Sequence, residues 1–325
     1  MRYDLTAAIL GSGFMGKEYI AKLSELVKNI IICTNDEETG KALAEQYGCK
    51  LYTNYDEMLE NEKIDFVGVC LPTHLHCSFS KKAMEKGIAV LCEKPFASSE
   101  DEAMQMIRTA EENGVLLMIG HCVRFSKEYE YVRRCVEDKR FGKLLSFNSY
   151  RENPMPSWSV NNWLFNTALS GGIVRDLHVH DTDMIVGILG SPKSVYTTGS
   201  ATTCRTVYGY GNGVTVSSSA SWRNIHNIPT EKGYDALFEK AFVKNVGGKL
   251  TVYADHEQYD PLENEEFSEF FQDGFYLNEL KYFCHCLVNG EKPLLCLPSD
   301  SYKTIAVSCA ESRSLEKHEA EAVSI

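Results

Sequence analysis

Two imidazoles and three carboxylates stand within eight residues at Asp176-Leu177-His178-Val179-His180-Asp181-Thr182-Asp183, a density that suits either a metal site or proton transfer. Along a strand, His178 and His180 would share a face and grip one ion. The flanking residues point to a helix instead. Gly171-Gly172 precede the stretch, Gly190 follows it and Pro192 lies just beyond, which predicts a helix of about 17 residues with a glycine stop. Periodicity agrees: at about 100° per residue, Ile173, Leu177, Met184 and Ile188 form one stripe, with Val174 and Ile185 beside it. On that helix His180 lies about 40° from Asp176 and His178 about 200° away, so the histidines diverge and no metal site is expected. The helix creates an Asp176/His180 pair at i and i+4, close enough for a carboxylate to orient an imidazole and bias its charge. Alone, such a pair is an ordinary helix-face ion pair. His178 is expected at the edge of the core or in an interface, and Asp181 and Asp183 in solvent or in local hydrogen bonds, Asp183 sharing the face of Asp176.

A second constellation gives the pair a context. A short β-prone run at 5–10 feeds Gly11-Ser12-Gly13-Phe14-Met15-Gly16, which opens a helix-like stretch at 17–28. Glycines so placed permit a tight turn, close approach of a pyrophosphate and close helix-strand packing, while the helix N-terminus offers a positive dipole end. Strands at 29–33, 50–52, 66–71, 89–92 and 116–119 then alternate with helices at 37–47, 55–60, 77–86 and 99–113, the pattern of a doubly wound parallel sheet. Ligands of such sheets sit at the carboxyl ends of the strands. Three of those ends carry unusual residues: Pro72-Thr73-His74-Leu75-His76, Glu93-Lys94-Pro95, and Gly120-His121-Cys122-Val123-Arg124-Phe125. The end of the second strand reads Cys33-Thr34-Asn35-Asp36, with Thr34 where an acid would hold the adenosine ribose of NAD. A neutral Thr does not repel a 2′-phosphate, so both NAD and NADP stay open. Asp36 serves either the ribose or the N-cap of the next helix.

From residue 143 the texture changes to β-rich runs at 144–151, 193–199, 205–211, 213–222 and 249–253, separated by turn signals such as Tyr210-Gly211-Asn212-Gly213 and Gly247-Gly248. The fold class is therefore α/β plus α+β: an N-terminal Rossmann doubly wound parallel sheet over 1–122, and over 123–325 a mostly antiparallel open sheet. Composition narrows the partners. A net charge of -12 with no dense basic block disfavours nucleic acid, and no apolar run approaches the length of a bilayer span. The twelve cysteines form no Cys-x-x-Cys framework, and the N-terminus enters a strand rather than a signal-peptide core, so a reducing cytoplasmic setting is expected. Cys284-His285-Cys286 lies within the helical pattern Leu280, Phe283, Cys284, Leu287, Val288, a buried helix face rather than a metal site.

With these pieces together the chain resembles the Gfo/Idh/MocA family (glucose-fructose oxidoreductase, inositol dehydrogenase, rhizopine catabolism) over nearly its whole length. The resemblance is carried by Gly11 to Gly16, the turn Pro72 to His76, Cys92-Glu93-Lys94-Pro95-Phe96-Ala97, Arg124-Phe125, and Ser170-Gly171-Gly172-Ile173-Val174-Arg175-Asp176 with His180 four residues on. It implies an NAD(P)-dependent oxidoreductase of a sugar, cyclitol or related polyol. On this likeness Gly11, Gly13, Phe14, Met15 and Gly16 hold the pyrophosphate, Thr34 and Asn35 border the adenosine ribose, and Leu71, Pro72, Thr73, Glu93, Lys94 and Pro95 border the nicotinamide. His76 is either a further cofactor contact or a structural strand-end residue. Lys94 would stabilise charge on the reacting oxygen, His180 would exchange the proton, and Asp176 would bind substrate or orient the imidazole. Arg124, Tyr150, Arg151, Trp158, Asn162 and Trp163 are candidates for the substrate side. The likeness also implies that 123–325 serves substrate binding and oligomerisation, with helices on one face of the second sheet and subunit contacts on the other, hence a homodimer or homotetramer. Two departures stand out: Thr73 where many relatives have Asn, and the missing acid after the second strand. A glycosidase that oxidises and re-reduces its sugar on bound NAD is the main alternative. A non-catalytic NAD(P)-sensing regulator would fit a chain lacking Lys94 or His180, and both are present.

Overall fold

Uninterrupted apolar runs such as Ala7 to Leu10 and Phe66 to Val69 suit strands covered on both faces, and in the computed structural model they are. The structure describes residues 2–325 except 157, 158 and 226, and not the side chains of 160 and 161. Trp158 thus lies outside the described residues. Strands β1 (Tyr3–Leu10), β2 (Val27–Cys33), β3 (Lys50–Tyr52), β4 (Phe66–Val69), β5 (Ala89–Glu93) and β6 (Leu117–Gly120) form a parallel sheet of order β3-β2-β1-β4-β5-β6. Helices α1 (Phe14–Leu26), α2 (Glu37–Tyr47), α3 (Tyr55–Asn61), α4 (His76–Met84) and α5 (Glu100–Asn113) connect them. Asp36, Asn54 and Ser99 cap α2, α3 and α5 by accepting from the amides of Thr39, Glu57 and Glu102. The strand order turns back between β1 and β4, so a crevice for ligands is expected at their carboxyl ends, where the glycine turn and the 71–76 turn lie.

The second unit carries a nine-stranded sheet. Helix α6 (Lys127–Glu137) leads to β7 (Leu144–Pro154), then come the short α7 (Thr167–Ser170) and α8 (Val179–Leu189). Strands β8 (Ser194–Gly199), β9 (Thr203–Gly209), β10 (Thr215–Arg223), β11 (Glu231–Phe238), β12 (Ala241–Val246), β13 (Lys249–Ala254), β14 (Glu257–Tyr259) and β15 (Glu321–Ala322) complete it in the order β14-β13-β12-β11-β7-β10-β9-β8-β15. Every pairing is antiparallel except β7 with β10. Strict alternation sends Phe147, Tyr208, Val216, Tyr234 and Val243 to one face, where Val132 and Cys135 of α6, Met184 and Ile185 of α8 and Val307 further along the chain cover them. Strands β11 and β12 were not evident in the sequence. Glu231–Phe238 (EKGYDALF) mixes Gly, Asp and Ala into a short run, and pairing with β7 on one side and β12 on the other makes it a strand.

A single cut after residue 122 does not describe the domains. Gln272–Tyr302 belongs to the first unit, and the second resumes at Lys303–Ile325. Helix α9 (Phe275–Asn289) packs on α1, and Phe283 meets Phe66 edge-on with centroids 5.0 Å apart. Of the apolar face expected there, Leu280, Phe283 and Cys284 are buried, together with Cys286, whereas Leu287 is half-buried and Val288 exposed in the helix's last turns. Amphipathicity shows that a helix needs cover, not which core supplies it. Helix α10 (Pro298–Lys317) then passes from one unit to the other. No helix among the described residues is long and apolar enough to cross a membrane.

Candidate active site

The glycine turn has the geometry of a phosphate cradle. Gly11 stands at φ +97°, and a Cβ there would lie 2.6 Å from Cys70 O; a Cβ on Gly16 would collide with Gly11 O. These two glycines close the strand-turn-helix junction. Gly13 differs: it is the N-cap of α1, no side chain caps the helix, and a Cβ on it would meet nothing within 4 Å. The open position and uncapped amides suit an anionic pyrophosphate, so the residues present fit a dinucleotide. Phe14 is exposed beside it and Met15 half-buried. Thr34 is buried, with its hydroxyl 2.9 Å from Ser12 Oγ and accepting from Asp36 N at 3.2 Å, so it ties the end of β2 to the glycine turn. Asp36 is the cap of α2, and that hydrogen bond to Thr39 lowers its pKa. Asn35 remains exposed.

The other two strand ends are joined by His76. The imidazole is 1% exposed, its Nδ1 is 2.9 Å from Pro95 O and its Nε2 2.8 Å from Leu71 O. The ring thus straps the β4 turn to the Glu-Lys-Pro turn. Burial pushes its pKa from 6.5 down to about 4, against the two carbonyls, which favour the cation. Between these values the unfolded chain binds the extra proton, so this contribution to stability is full above about pH 6.5 and disappears as pH falls toward 4. It amounts to about 3 kcal/mol at most. Urea unfolding of His76→Gln should therefore show a shallower loss of stability between pH 7 and pH 4.5 than the parent; equal slopes would contradict the assignment.

Glu93 ends β5 and is buried, Lys94 is half-buried with its amide donating to Glu93 Oε2 at 3.2 Å, and the Lys94-Pro95 peptide is cis. Thr73 is buried, while Leu71 and Pro72 are half-buried. Beneath this end lie residues that sequence reasoning missed. Tyr19 of α1 donates to Glu279 Oε2 of α9 at 3.3 Å, and Gly120 leaves room for both the Tyr19 hydroxyl and the Glu93 carboxyl, 3.2 and 3.3 Å from where a Cβ would sit. Burial, then Glu279 and Glu93, hold the phenol far above its usual range, so it keeps its proton between two carboxyl groups. A polar Glu279 amid the apolar face of α9 was the available signal.

In the second unit the helix predicted from Gly171 to Gly190 is not uniform. Val174–His178 forms a π-helical turn, and α8 follows from Val179. Such insertions concentrate at functional sites. Asp176 and His180 are half-buried, whereas His178 is fully buried with Nε2 3.1 Å from Thr206 Oγ1 and 3.2 Å from Tyr208 OH. The two histidines therefore part, as helical phase required. Asp181 and Asp183 are not solvated or local, contrary to expectation: both are 1% exposed, Arg151 Nε donates to Asp181 at 2.7 Å, and Arg124 forks onto Asp183. A helix buried on most sides leaves carboxylates no solvent, so long-range cations neutralise them.

Two of the substrate candidates take part in those ion pairs. Arg124 and Arg151 are buried and committed to carboxylates. Tyr150 lies across Gly233 on the opposite sheet face from Arg151, because adjacent strand residues alternate, and so on the face away from α8. Trp163 is half-buried and Asn162 exposed on the turn Val160–Phe165.

Comparison with known proteins agrees with this architecture. Residues 5–121 match the model of the GFO/IDH/MocA oxidoreductase family with an NAD-binding Rossmann fold, and residues 129–232 match that family's C-terminal domain. The 2,7-anhydro-N-acetylneuraminate hydratase of Mediterraneibacter gnavus is 32% identical over 193 residues, 59% of this chain and 51% of that protein. Inositol 2-dehydrogenase of Rhodococcus jostii is 28% identical over 186 residues, 56% and 49% respectively. The match thus spans about half the length of these curated relatives. In fold, the chain is similar to myo-inositol 2-dehydrogenase of Lactobacillus plantarum, with a TM-score of 0.83 at 23% identity over 99% of this chain and 100% of that one. Since both halves match models of one family, in order and without overlap, the chain belongs to the GFO/IDH/MocA oxidoreductase family, whose N-terminal domain binds NAD.

Proposed function

We propose that the protein transfers hydride between a nicotinamide cofactor and a secondary alcohol or ketone of a sugar, cyclitol or related polyol. The observation that carries this reading is the half-buried Lys94 at the carboxyl end of β5, next to the turn that His76 straps to it, in a chain that also carries the half-buried Asp176 and His180 four residues apart across the start of α8. When bound, the nicotinamide supplies the hydride acceptor. Gly11 to Gly16 hold the pyrophosphate, and Thr73, Glu93 and Pro95 border the nicotinamide ribose. Lys94 hydrogen-bonds the reacting oxygen and stabilises negative charge developing on it. His180 accepts the hydroxyl proton in oxidation and returns it in reduction, with Asp176 orienting the ring or binding substrate. Neutral Thr34 leaves room for either NAD or NADP. The test is a screen of polyols, aldoses and sugar acids with each cofactor at the nicotinamide absorbance; absence of cofactor reduction or oxidation with every class would overturn it.

A second reading is favoured by the hydratase of M. gnavus, a relative named for a reaction on an anhydro sugar acid. In it, NAD stays bound and the sugar is oxidised and re-reduced within one turnover. Cofactor that survives purification, and turnover without added NAD, distinguish it. Either reaction should be indifferent to EDTA, because His178 is fully buried against Thr206 and Tyr208 while His180 is half-buried; activity that is lost to chelator and restored by one divalent ion would refute this.

We also propose a homodimer or homotetramer in the cytoplasm. The face of the second sheet opposite α6 and α8 exposes Tyr196, Val207, Leu237, Val246 and Tyr253, an apolar surface suited to a second copy, and all twelve cysteines are free thiols. Light scattering at micromolar concentration should return at least twice the mass of one chain, and a monomer there would count against the assembly.

A further inference from the structure

Helix α8 is held by buried polar ties, and one of them reaches two segments through which the chain passes between its units. Asp183 lies three residues beyond His180 and is 1% exposed. Arg124 donates to it from Nε at 2.8 Å and from Nη2 at 2.6 Å, and Thr304 Oγ1 donates to Oδ1 at 2.8 Å. Arg124 sits in the turn Cys122–Phe125, where the chain leaves the first unit, and Thr304 in α10, which crosses between Tyr302 and Lys303. The other ties reach less far: Arg151 joins Asp181 from within the sheet, and Thr182 donates to Glu311 of α10 alone, which also accepts from Tyr208 at 2.6 Å.

We propose that Asp183 is a positioning residue for His180, setting the rotation and height of α8 against both passing segments through oriented hydrogen bonds. The proposal rests on the oxidoreductase reading for what the imidazole does. A buried ion pair is weak evidence of stabilisation, because desolvation offsets its attraction. What a planar guanidinium fork on a carboxylate does supply is direction: two parallel bonds fix the plane of one group against the other, and a third from Thr304 removes the remaining freedom. An apolar contact of equal volume sets only a distance. Misplacement of a catalytic group by about 1 Å lowers turnover by about 10²-fold, so a helix carrying the proton acceptor is where such direction matters.

The test compares D183N, T304V and the double variant R124M/D183L with the parent. D183N should lose kcat at least about tenfold, with the NADH dissociation constant, read by fluorescence titration, unchanged, and with faster amide exchange across 179–189. T304V removes one bond and should lose kcat several-fold without a change in melting temperature. The double variant separates direction from stability: it should melt at or above the parent while kcat stays at the D183N level. Parental kcat in the double variant would show the pair to be structural only and overturn the proposal. Should the parent turn over no polyol, the oxidoreductase reading fails by itself; the exchange measurement needs no substrate, and parental protection of 179–189 in both D183N and T304V would then overturn the positioning role.

Discussion

Replacing Lys94 by Met is expected to lower kcat by about 10²–10³-fold, the effect of removing one donor to a developing oxyanion, with NADH affinity unchanged to within about twofold. Met keeps the unbranched apolar stem and deletes only the ammonium. The turn has ties of its own: the ring nitrogens of His76 lie 2.9 Å from Pro95 O and 2.8 Å from Leu71 O, and Glu93 accepts from the backbone amide of residue 94. The turn should therefore persist in the variant. His180→Ala is expected to lose a comparable factor, since general base catalysis contributes about 10²–10⁴-fold. If the two groups serve one proton and one oxygen, the double variant should lose much less than the product of the single losses. Steady-state kinetics with fluorescence titration of NADH checks all three, and a fully active double variant would remove both residues from the mechanism.

Gly13→Val is expected to fold as the parent does and to lose dinucleotide affinity by about 10²-fold or more, because close approach of the pyrophosphate to that backbone is what the middle glycine allows. The structure separates the two effects. A Cβ at Gly13 meets no atom within 4 Å, and its φ of -72° suits any L residue. The neighbouring glycines cannot make this separation, since Gly11 has φ +97° and a Cβ on Gly16 would run into Gly11 O. Melting temperature near the parental value together with a weakened NADH dissociation constant is the expected result. Parental affinity would place the pyrophosphate elsewhere than on the N-terminus of α1.

Hydrophobic periodicity and punctuation were enough to read the first sheet, because each βα unit is local: Ser99 and Gly114 bracket α5, and Asp36 and Gly48 bracket α2, wherever the chain packs. Helical phase was likewise enough to separate the buried His178 from the half-buried His180. The same reasoning stopped at contacts between distant positions. Nothing local distinguishes a solvated Asp from one matched by an arginine 59 residues away, as Asp183 is by Arg124, or shows that Tyr150 turns from the helix that Arg151 faces.

The amino-acid sequence by itself determined the glycine turn, the Glu-Lys-Pro strand end, the separation of His178 from His180, and the change from parallel to mostly antiparallel sheet, all of which depend on spacing along the chain. Tertiary structure alone decided that α9 returns to the first unit, that Glu279 and Tyr19 lie under Glu93, that His76 straps two turns, and that Asp181 and Asp183 are buried ion-pair partners. The physical reason is the same in each case. Periodicity tells which face of an element must be covered, whereas the identity of what covers it follows from packing between residues far apart in the chain.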